Sequence, residues 1–201
     1  ECSGRGYYLI IMTEVINNQK NKFMGLTHAE VFMYLLMTVI SITFLFITNA
    51  YLFRMNFADW QSLPMPSLVW FNSGALVLAS VGMVWAKQGA KADDNSNLKI
   101  GLMATGVFGV LFALGQIKAW QELNTFGYFL ASNPANTFFY LITALHVMHV
   151  LGGIIAWMRV SFRVFSRSKK TVTEHTIGLL GIYWHYMLLV WALLFSILLT
   201  T

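Results

Sequence analysis

Long apolar segments alternate with short polar connections along most of this chain. Five apolar runs can be marked, at residues 31–53, 68–86, 100–120, 137–158 and 177–199. Each is close to the ~20 residues that an α-helix needs to cross a bilayer. The pattern predicts an all-α membrane protein, a bundle of five transmembrane helices forming one domain over residues 28–201, preceded by a cytoplasmic segment over residues 1–27.

The composition also describes a chain embedded in lipid. Hydrophobic residues make up 57% of it and charged residues only 10%, too few charges for a polar shell around a water-soluble core. The sequence has no glycine-rich phosphate loop and no Ser-His-Asp set, which disfavours a self-contained enzyme. Its three prolines, Pro64, Pro66 and Pro134, fall in connections, so the broken helices of many transporters are not predicted.

Positive charge is distributed unevenly between the two ends of the spans. Of the 13 Lys and Arg residues, only Arg54 and Lys118 fall on one side. The richer side is expected to be cytoplasmic. This places the amino terminus in the cytoplasm and the carboxyl terminus in the periplasm. The net charge of +5 then reflects topology and anionic lipid, with no nucleic-acid partner expected.

The first eleven residues contain an apolar run too short for the core of an export signal, and Met12 is a candidate alternative start. The single cysteine, Cys2, lies in this stretch. An internal disulfide and a thiolate metal cluster are therefore excluded, and a redox metal in this chain would have to use histidine.

Three histidines lie inside apolar runs. His146 and His149 are three residues apart, so they share one face near the middle of the fourth span, and His185 lies in the middle of the fifth. Facing histidines on neighbouring helices are able to ligate a haem. One reading of the chain is therefore a small haem-binding membrane anchor that uses His146, His149 and His185.

The residues around these histidines favour a different reading. Bulky neighbours such as Leu145 and Met187 would crowd a porphyrin face, so hydrogen bonding between helices, or a contact with another subunit, accounts better for the rings. We predict no metal or cofactor site in this chain. The expected local partners are Tyr140, Thr143, Tyr183 and Trp184.

His28 and Glu30 lie where the first helix enters the membrane. The carboxylate of Glu30 suits the positive end of a helix dipole, which gives it a purely structural explanation. Alternatively, both side chains are polar groups at a contact with a subunit or a lipid.

Several short motifs occur in order along the five spans. Ala29-Glu30-Val31-Phe32-Met33 opens the first span, Asn72-Ser73 and Ala79-Ser80 lie in the second, and Gly115-Gln116 lies in the third. The fourth has Phe138-Phe139-Tyr140 and Thr143 before its two histidines, then Val150 and Gly153, and the fifth has Tyr183-Trp184-His185 and Trp191. In this order the motifs resemble the short, five-helix bacterial form of subunit III of cytochrome c oxidase, a haem-copper oxidase. Ala119 and Leu188 depart from the family, which usually has Glu and Asp there.

The resemblance implies a subunit without redox centres. In the family it docks on a catalytic subunit I that holds haem and copper, beside a copper-containing subunit II, where oxygen is reduced to water and protons are pumped. Its implied roles are to stabilise subunit I, to support proton uptake and to bind phospholipid. Membership of a respiratory supercomplex is a further implied association, and a bacterial inner membrane is the implied location.

The resemblance also implies particular lipid contacts. Glu30 matches a residue in a lipid cleft, and Arg163 matches an arginine that contacts a lipid phosphate, with Arg159 a further candidate nearby. The other positions assigned to subunit contact or interhelical pairing are His28, His146, His149, Tyr183, Trp184 and His185. The sequence leaves two further readings open. The chain is subunit III of a quinol oxidase or of a nitric oxide reductase relative, or it is an independent transporter or scaffold.

Overall fold

Helices make up almost all of the regular structure in the computed structural model, which describes residues 22–23, 26–166 and 174–200. The helices are α1 His28–Arg54, α2 Ser67–Lys91, α3 Asn95–Thr125, α4 Pro134–Ser166 and α5 Glu174–Leu199. All five are long and apolar enough to cross a membrane. The predicted all-α membrane protein with five spans is confirmed, and each helix begins before the apolar run that predicted it.

The chain divides into two compact units, and the division falls within α1, between Ile40 and Ser41. Before α1, strand β1 Lys22–Phe23 pairs antiparallel with β2 Leu26–Thr27. Of the predicted segment over residues 1–27, the structure describes only these four residues. Met12 and Cys2 lie outside the described residues, and the orientation of the termini across the membrane stays a prediction.

Local capping explains where α3 begins and ends and where α4 begins. The Asp94 side chain accepts hydrogen bonds from the backbone of Ser96 at 2.9 Å and Asn97 at 3.2 Å, which satisfies free N–H groups at the start of α3. At the end of α3, Gly127 takes a positive φ of 86°, a conformation that favours glycine and ends a helix. Pro134 then occupies the first position of α4, where its missing N–H is not needed.

Helices α2 to α5 form a closed ring in which each packs against two others. α2 contacts α3 and α5, and α4 contacts the same two helices. Large aromatic side chains fill the middle: Phe112 of α3 meets Trp191 of α5 edge to face, with ring centroids 5.1 Å apart. Such pairs contribute about 0.5–1.5 kcal/mol beyond burial alone. Polar contacts join neighbouring helices of this ring, as where the Trp191 indole of α5 donates to the Ser73 hydroxyl of α2 at 2.9 Å.

The connection between α1 and α2 carries an ion pair. Arg54 binds the Asp59 carboxylate through both terminal nitrogens, one of them at 2.7 Å. These hydrogen bonds hold the pKa of Asp59 below its ordinary value. The pair is solvent-exposed, so it orients the connection and contributes little stability.

The outward surface of the helices is strongly apolar. Phe46 is 71% exposed, Phe71 70% and Phe162 72%. An apolar surface of this extent is costly in water and suits contact with lipid acyl chains.

Candidate functional site

His146 lies near the middle of α4 and is fully buried. Its imidazole is surrounded by the rings of Phe44, Phe112 and Trp191, at centroid separations of 6.2, 5.6 and 5.0 Å. Neither ring nitrogen has a hydrogen-bond partner among the described residues. A porphyrin bound through His146 would have to displace at least one of these aromatic rings.

Two buried amide side chains, like His146, have polar atoms without a hydrogen-bond partner among the described residues. Asn72 of α2 is 1% exposed and Gln116 of α3 is fully buried. Within the described part of the chain, Nδ2 of Asn72 and both side-chain polar atoms of Gln116 lack a partner. Asn72 packs against Gly115, where a Cβ atom would lie 2.8 Å from the Asn72 Cγ. The bundle interior therefore holds polar groups that its own helices do not satisfy.

His149 lies at the contact between α4 and α5. The Tyr183 hydroxyl donates to the backbone oxygen of His149 at 2.8 Å, and the His149 Nδ1 donates to the Leu145 carbonyl at 2.7 Å. Gly153 makes room for the tyrosine, because a Cβ there would lie 2.8 Å from the Tyr183 Cε1. The structure thus brings together His149 and Tyr183, two of the predicted site residues.

His185 is an exposed residue that nevertheless joins α5 to α2. The Ser80 hydroxyl lies 2.5 Å from the His185 Nδ1. One residue further along, the Tyr186 hydroxyl lies 2.7 Å from the Ser41 hydroxyl of α1. Ser41, Ser80 and Tyr186 are additional site residues. The sequence signal that could have identified them is a polar side chain within an apolar run.

The other expected partners of the histidines bond elsewhere. The Tyr140 hydroxyl donates to the Asn124 side chain at 3.0 Å, and the Thr143 hydroxyl accepts from the Trp120 indole at 3.0 Å. The Trp184 side chain is buried, and its indole nitrogen has no partner among the residues described. Tyr140 and Thr143 therefore connect α4 to α3 rather than supporting a histidine.

Glu30 belongs to the start of α1, in the first unit. The backbone N–H of Thr27 donates to the Glu30 carboxylate at 2.7 Å, and the backbone N–H of Glu30 donates to the Thr27 hydroxyl at 3.3 Å. This reciprocal pattern is a capping box, which satisfies two N–H groups at the helix start. His28 lies between them in sequence and is exposed.

Arg159 and Arg163 lie on the last turns of α4, in the second unit, and both are exposed. Over residues 22–23, 26–166 and 174–200, no group of three or more His, Cys, Asp or Glu side chains is arranged to hold a metal ion. Some polar side chains at membrane depth connect helices, as Tyr183 and His185 do. Together the fold and these contacts define a multi-pass α-helical membrane protein.

Comparison with known sequences assigns the chain within this class. The family model for cytochrome c oxidase subunit III matches residues 31–200, which contain nearly all of the five helices. The chain belongs to the cytochrome c oxidase subunit III family.

Individual relatives agree with this assignment. A probable cytochrome c oxidase subunit 3 of Mycobacterium tuberculosis is 32% identical over 109 residues, 54% of this chain and 53% of that protein. Cytochrome c oxidase subunit 3 of Thermostichus vulcanus is 29% identical over 128 residues, 63% of this chain and 62% of its own length. The match to the Synechocystis protein of the same name is 27% identical over 161 residues, 77% of this chain and 68% of the relative. The match thus spans little more than half of the Mycobacterium tuberculosis protein and about three-fifths of the Thermostichus vulcanus protein.

Proposed function

We propose that this chain is the accessory subunit III of a haem-copper terminal oxidase in a bacterial inner membrane. In this role it docks on the catalytic subunit I, beside the copper-containing subunit II, and the partner subunits hold the haem and copper. It stabilises subunit I and supports the proton uptake that accompanies reduction of oxygen to water. The observation that carries the proposal is the family match across all five helices.

The position of His185 supports docking on a partner subunit. This imidazole is exposed on α5 within the apolar part of the chain. A polar ring that faces acyl chains is unfavourable, whereas a neighbouring subunit offers polar partners and excludes lipid. Among the described residues, the Ser80 hydroxyl pairs with the Nδ1 of the ring, and we assign the Nε2 edge to the contact with a partner. We assign the His185 face of α5 to the subunit contact.

Phospholipid binding by Glu30, Arg163 and Arg159 is the second element of the proposal. The two exposed guanidinium groups suit a lipid phosphate, since a planar fork of N–H donors matches phosphate oxygens in pairs. The Glu30 carboxylate is half-buried at the start of α1. There it provides a negative group for a cationic headgroup while it caps the helix.

The test is purification through this chain in mild detergent, with visible absorption spectra of the preparation and mass spectrometry of its other subunits. The expected result is a complex with a large haem-copper subunit that keeps its haem bands, whereas this chain shows no haem bands once it is separated from that subunit. The identity of the donor-binding subunits then distinguishes a cytochrome c oxidase from a quinol oxidase or a nitric oxide reductase relative. Haem retained by the separated chain, or a preparation without haem-copper subunits, would contradict the proposal.

A further inference from the structure

A pocket of about 380 Å³ lies where the start of α2 meets the end of α3. This end of the bundle is the one that the distribution of Lys and Arg predicts to be periplasmic. The volume falls within the range of about 300–1000 Å³ that is typical of small-molecule sites. The pocket is formed mainly by Pro64, Pro66 and Ser67 on one wall and by Glu122, Phe126 and Tyr128 on the other.

Backbone contacts hold the walls of the pocket in place. At the end of α3, the Phe126 N–H donates to the Glu122 carbonyl at 3.2 Å, and the Tyr128 N–H donates to the Leu123 carbonyl at 3.0 Å. The Tyr128 carbonyl accepts in turn from the Tyr140 hydroxyl of α4 at 3.0 Å. On the other wall, the rings of the two prolines restrict the backbone. A site that is already formed loses little entropy when it is filled.

The pocket carries one negative charge. Glu122 is the only acidic residue among those that line it, and it is half-buried. Lys118, one turn earlier on α3, is exposed, and in the part of the chain that the structure describes it does not lie within ion-pair distance of Glu122. The positive end of α2 and the negative end of α3 each amount to about half a unit charge, so they largely cancel. The charge of Glu122 therefore dominates the pocket.

Two aromatic residues lie beside this charge. Phe126 directly follows α3 and is 69% exposed, and Tyr128 is half-buried. The face of an aromatic ring attracts a cation, and it also packs against the aliphatic stem of a lysine or an arginine. A carboxylate together with such rings suits a cation that carries an apolar stem better than a bare ion.

We propose that this pocket receives a basic side chain, lysine or arginine, from an extramembrane segment of a partner subunit. The charged end pairs with Glu122, and the stem packs against Phe126 and the two prolines. A Ca²⁺ ion fits less well, because it takes about six to eight oxygen ligands and a single acidic residue lines the pocket. The proposal rests on the proposed function only in requiring a partner subunit, and the experiment identifies that subunit separately.

The experiment places the photoreactive residue p-benzoylphenylalanine at position 126 of the full chain, in cells that produce the whole complex. Membranes are illuminated, the complex is purified in mild detergent, and mass spectrometry locates the crosslinked peptides. The crosslinks are expected to fall on one segment of a copurified subunit, within a few residues of a lysine or an arginine. The control carries the same residue in place of Phe129, which is 58% exposed and lies outside the pocket, and it should give little of this crosslink.

A charge variant tests the ion pair. Glu122→Gln keeps the size of the side chain, and it is expected to lower the yield of the crosslink from position 126 about twofold to fivefold, the effect of losing one partly exposed ion pair. Added salt should lower the yield from the unsubstituted pocket in the same direction, because it screens the charges. Asp59→Asn is the control. It removes a carboxylate that Arg54 already neutralises, so the yield should not change.

Protection of a cysteine gives a second measurement, which needs no photoreactive residue. In a Cys2→Ser background, Ser67→Cys places a thiol in the pocket, and Ser62→Cys places one in the connection outside it; both serines are exposed. In the purified complex, Glu122→Gln should speed the reaction of the thiol at position 67 with a maleimide about twofold to fivefold. The reaction at position 62 should keep its rate.

Equal crosslinking from positions 126 and 129, or a crosslink that neither Glu122→Gln nor salt weakens, would overturn the proposal. Crosslinks to lipid alone, to a segment without a basic residue, or to nothing would overturn it as well. The oxidase assignment has a separate readout in the copurified subunits. A crosslink that depends on Glu122, found in a preparation without haem-copper subunits, would support the pocket and contradict that assignment, whereas haem-copper subunits without the crosslink would do the reverse.

Discussion

At the scale of single residues, the three histidines in the spans have different surroundings. His146 is enclosed by aromatic rings and has no partner for either nitrogen among the described residues. His149 offers its backbone oxygen to Tyr183, and His185 pairs with the Ser80 hydroxyl. Only the contact of His185 uses an imidazole nitrogen to join two helices. Its contribution can therefore be measured without disturbing the aromatic core.

We predict a measurable coupling between Ser80 and His185. Polar pairs within helix bundles contribute about 0.6 kcal/mol on average and up to about 1.7 kcal/mol. A double-mutant cycle of Ser80→Ala and His185→Ala should therefore give a coupling free energy of about 0.5–1.5 kcal/mol. The measurement is unfolding of the purified protein in mixed detergent micelles.

Ser196 provides the control for this cycle. Its hydroxyl donates to Ala192 in its own helix at 2.7 Å, so Ser196→Ala combined with His185→Ala should show no coupling. Coupling indistinguishable from zero in the Ser80 cycle would show that the contact does not stabilise the bundle. Visible spectra of any copurified haem should be the same in all of these variants.

At the scale of the helices, the starts of α1, α3 and α4 carry side chains that satisfy free backbone N–H groups. Thr27 and Glu30 form the capping box of α1, Asp94 caps α3, and the Asn133 side chain accepts from the Ala135 N–H at 3.0 Å at the start of α4. Such caps typically contribute about 0.5–2 kcal/mol each. For Glu30 this raises a specific question, because the same carboxylate is proposed to face a lipid.

We predict that capping and lipid binding by Glu30 are separable. Glu30→Gln keeps an acceptor for the Thr27 N–H and removes only a charge that is worth about 0.3–1 kcal/mol at a helix start. Combined with Arg163→Ala, it should lower the phospholipid that copurifies with the protein while assembly persists. Glu30→Ala removes the capping acceptor as well, so it should also lower the unfolding temperature.

The measurement is phosphorus per protein after detergent washing, with thermal unfolding of the same samples. Thr27→Ala is the matched control, because it weakens the capping box and leaves both charged residues in place. If the Glu30→Gln, Arg163→Ala protein keeps its full lipid content, these residues do not hold lipid.

At the scale of the whole ring, at least one polar contact joins every neighbouring pair of helices from α2 to α5. The Thr105 hydroxyl donates to the Ala79 backbone at 3.1 Å between α3 and α2, and the Trp191 indole donates to Ser73 at 2.9 Å between α5 and α2. α3 and α4 are joined through Trp157, and α4 and α5 through Tyr183. In a bilayer the hydrophobic effect does not drive helices together, so packing and polar bonds of this kind have to set their neighbours.

The orientation of this ring in the membrane gives a further prediction. The excess of Lys and Arg places the α2–α3 connection in the cytoplasm and the α3–α4 connection in the periplasm. In a Cys2→Ser background, a cysteine at the exposed position Ala131 should react with a membrane-impermeant maleimide in intact cells. A cysteine at Ser96, which is also exposed, should react only after the membrane is opened. The reverse pattern would mean that the topology is inverted.

The sequence was a good guide to the helices and a poorer guide to their contacts. Small residues permit close packing of helices, and Gly106 and Gly109 lie directly against the indoles of Trp157 and Trp184. Gly152 does not: the nearest atom to a Cβ there would be the Tyr183 hydroxyl at 3.9 Å, and it is the next residue, Gly153, that the tyrosine ring approaches closely. Adjacent residues of a helix point in different directions, so the rotation of α4 about its axis decides which of the two glycines faces the tyrosine.

The sequence by itself determined that five helices cross a membrane, because an apolar run of about 20 residues is a local property of the chain. The family followed from short motifs in the same order. Only the tertiary structure decided that Ser80 meets His185, 105 residues away, and that His146 is enclosed by aromatic rings. The physical reason is that helices apolar on every side leave their rotation about their own axes undetermined. Close packing against neighbouring helices fixes that rotation.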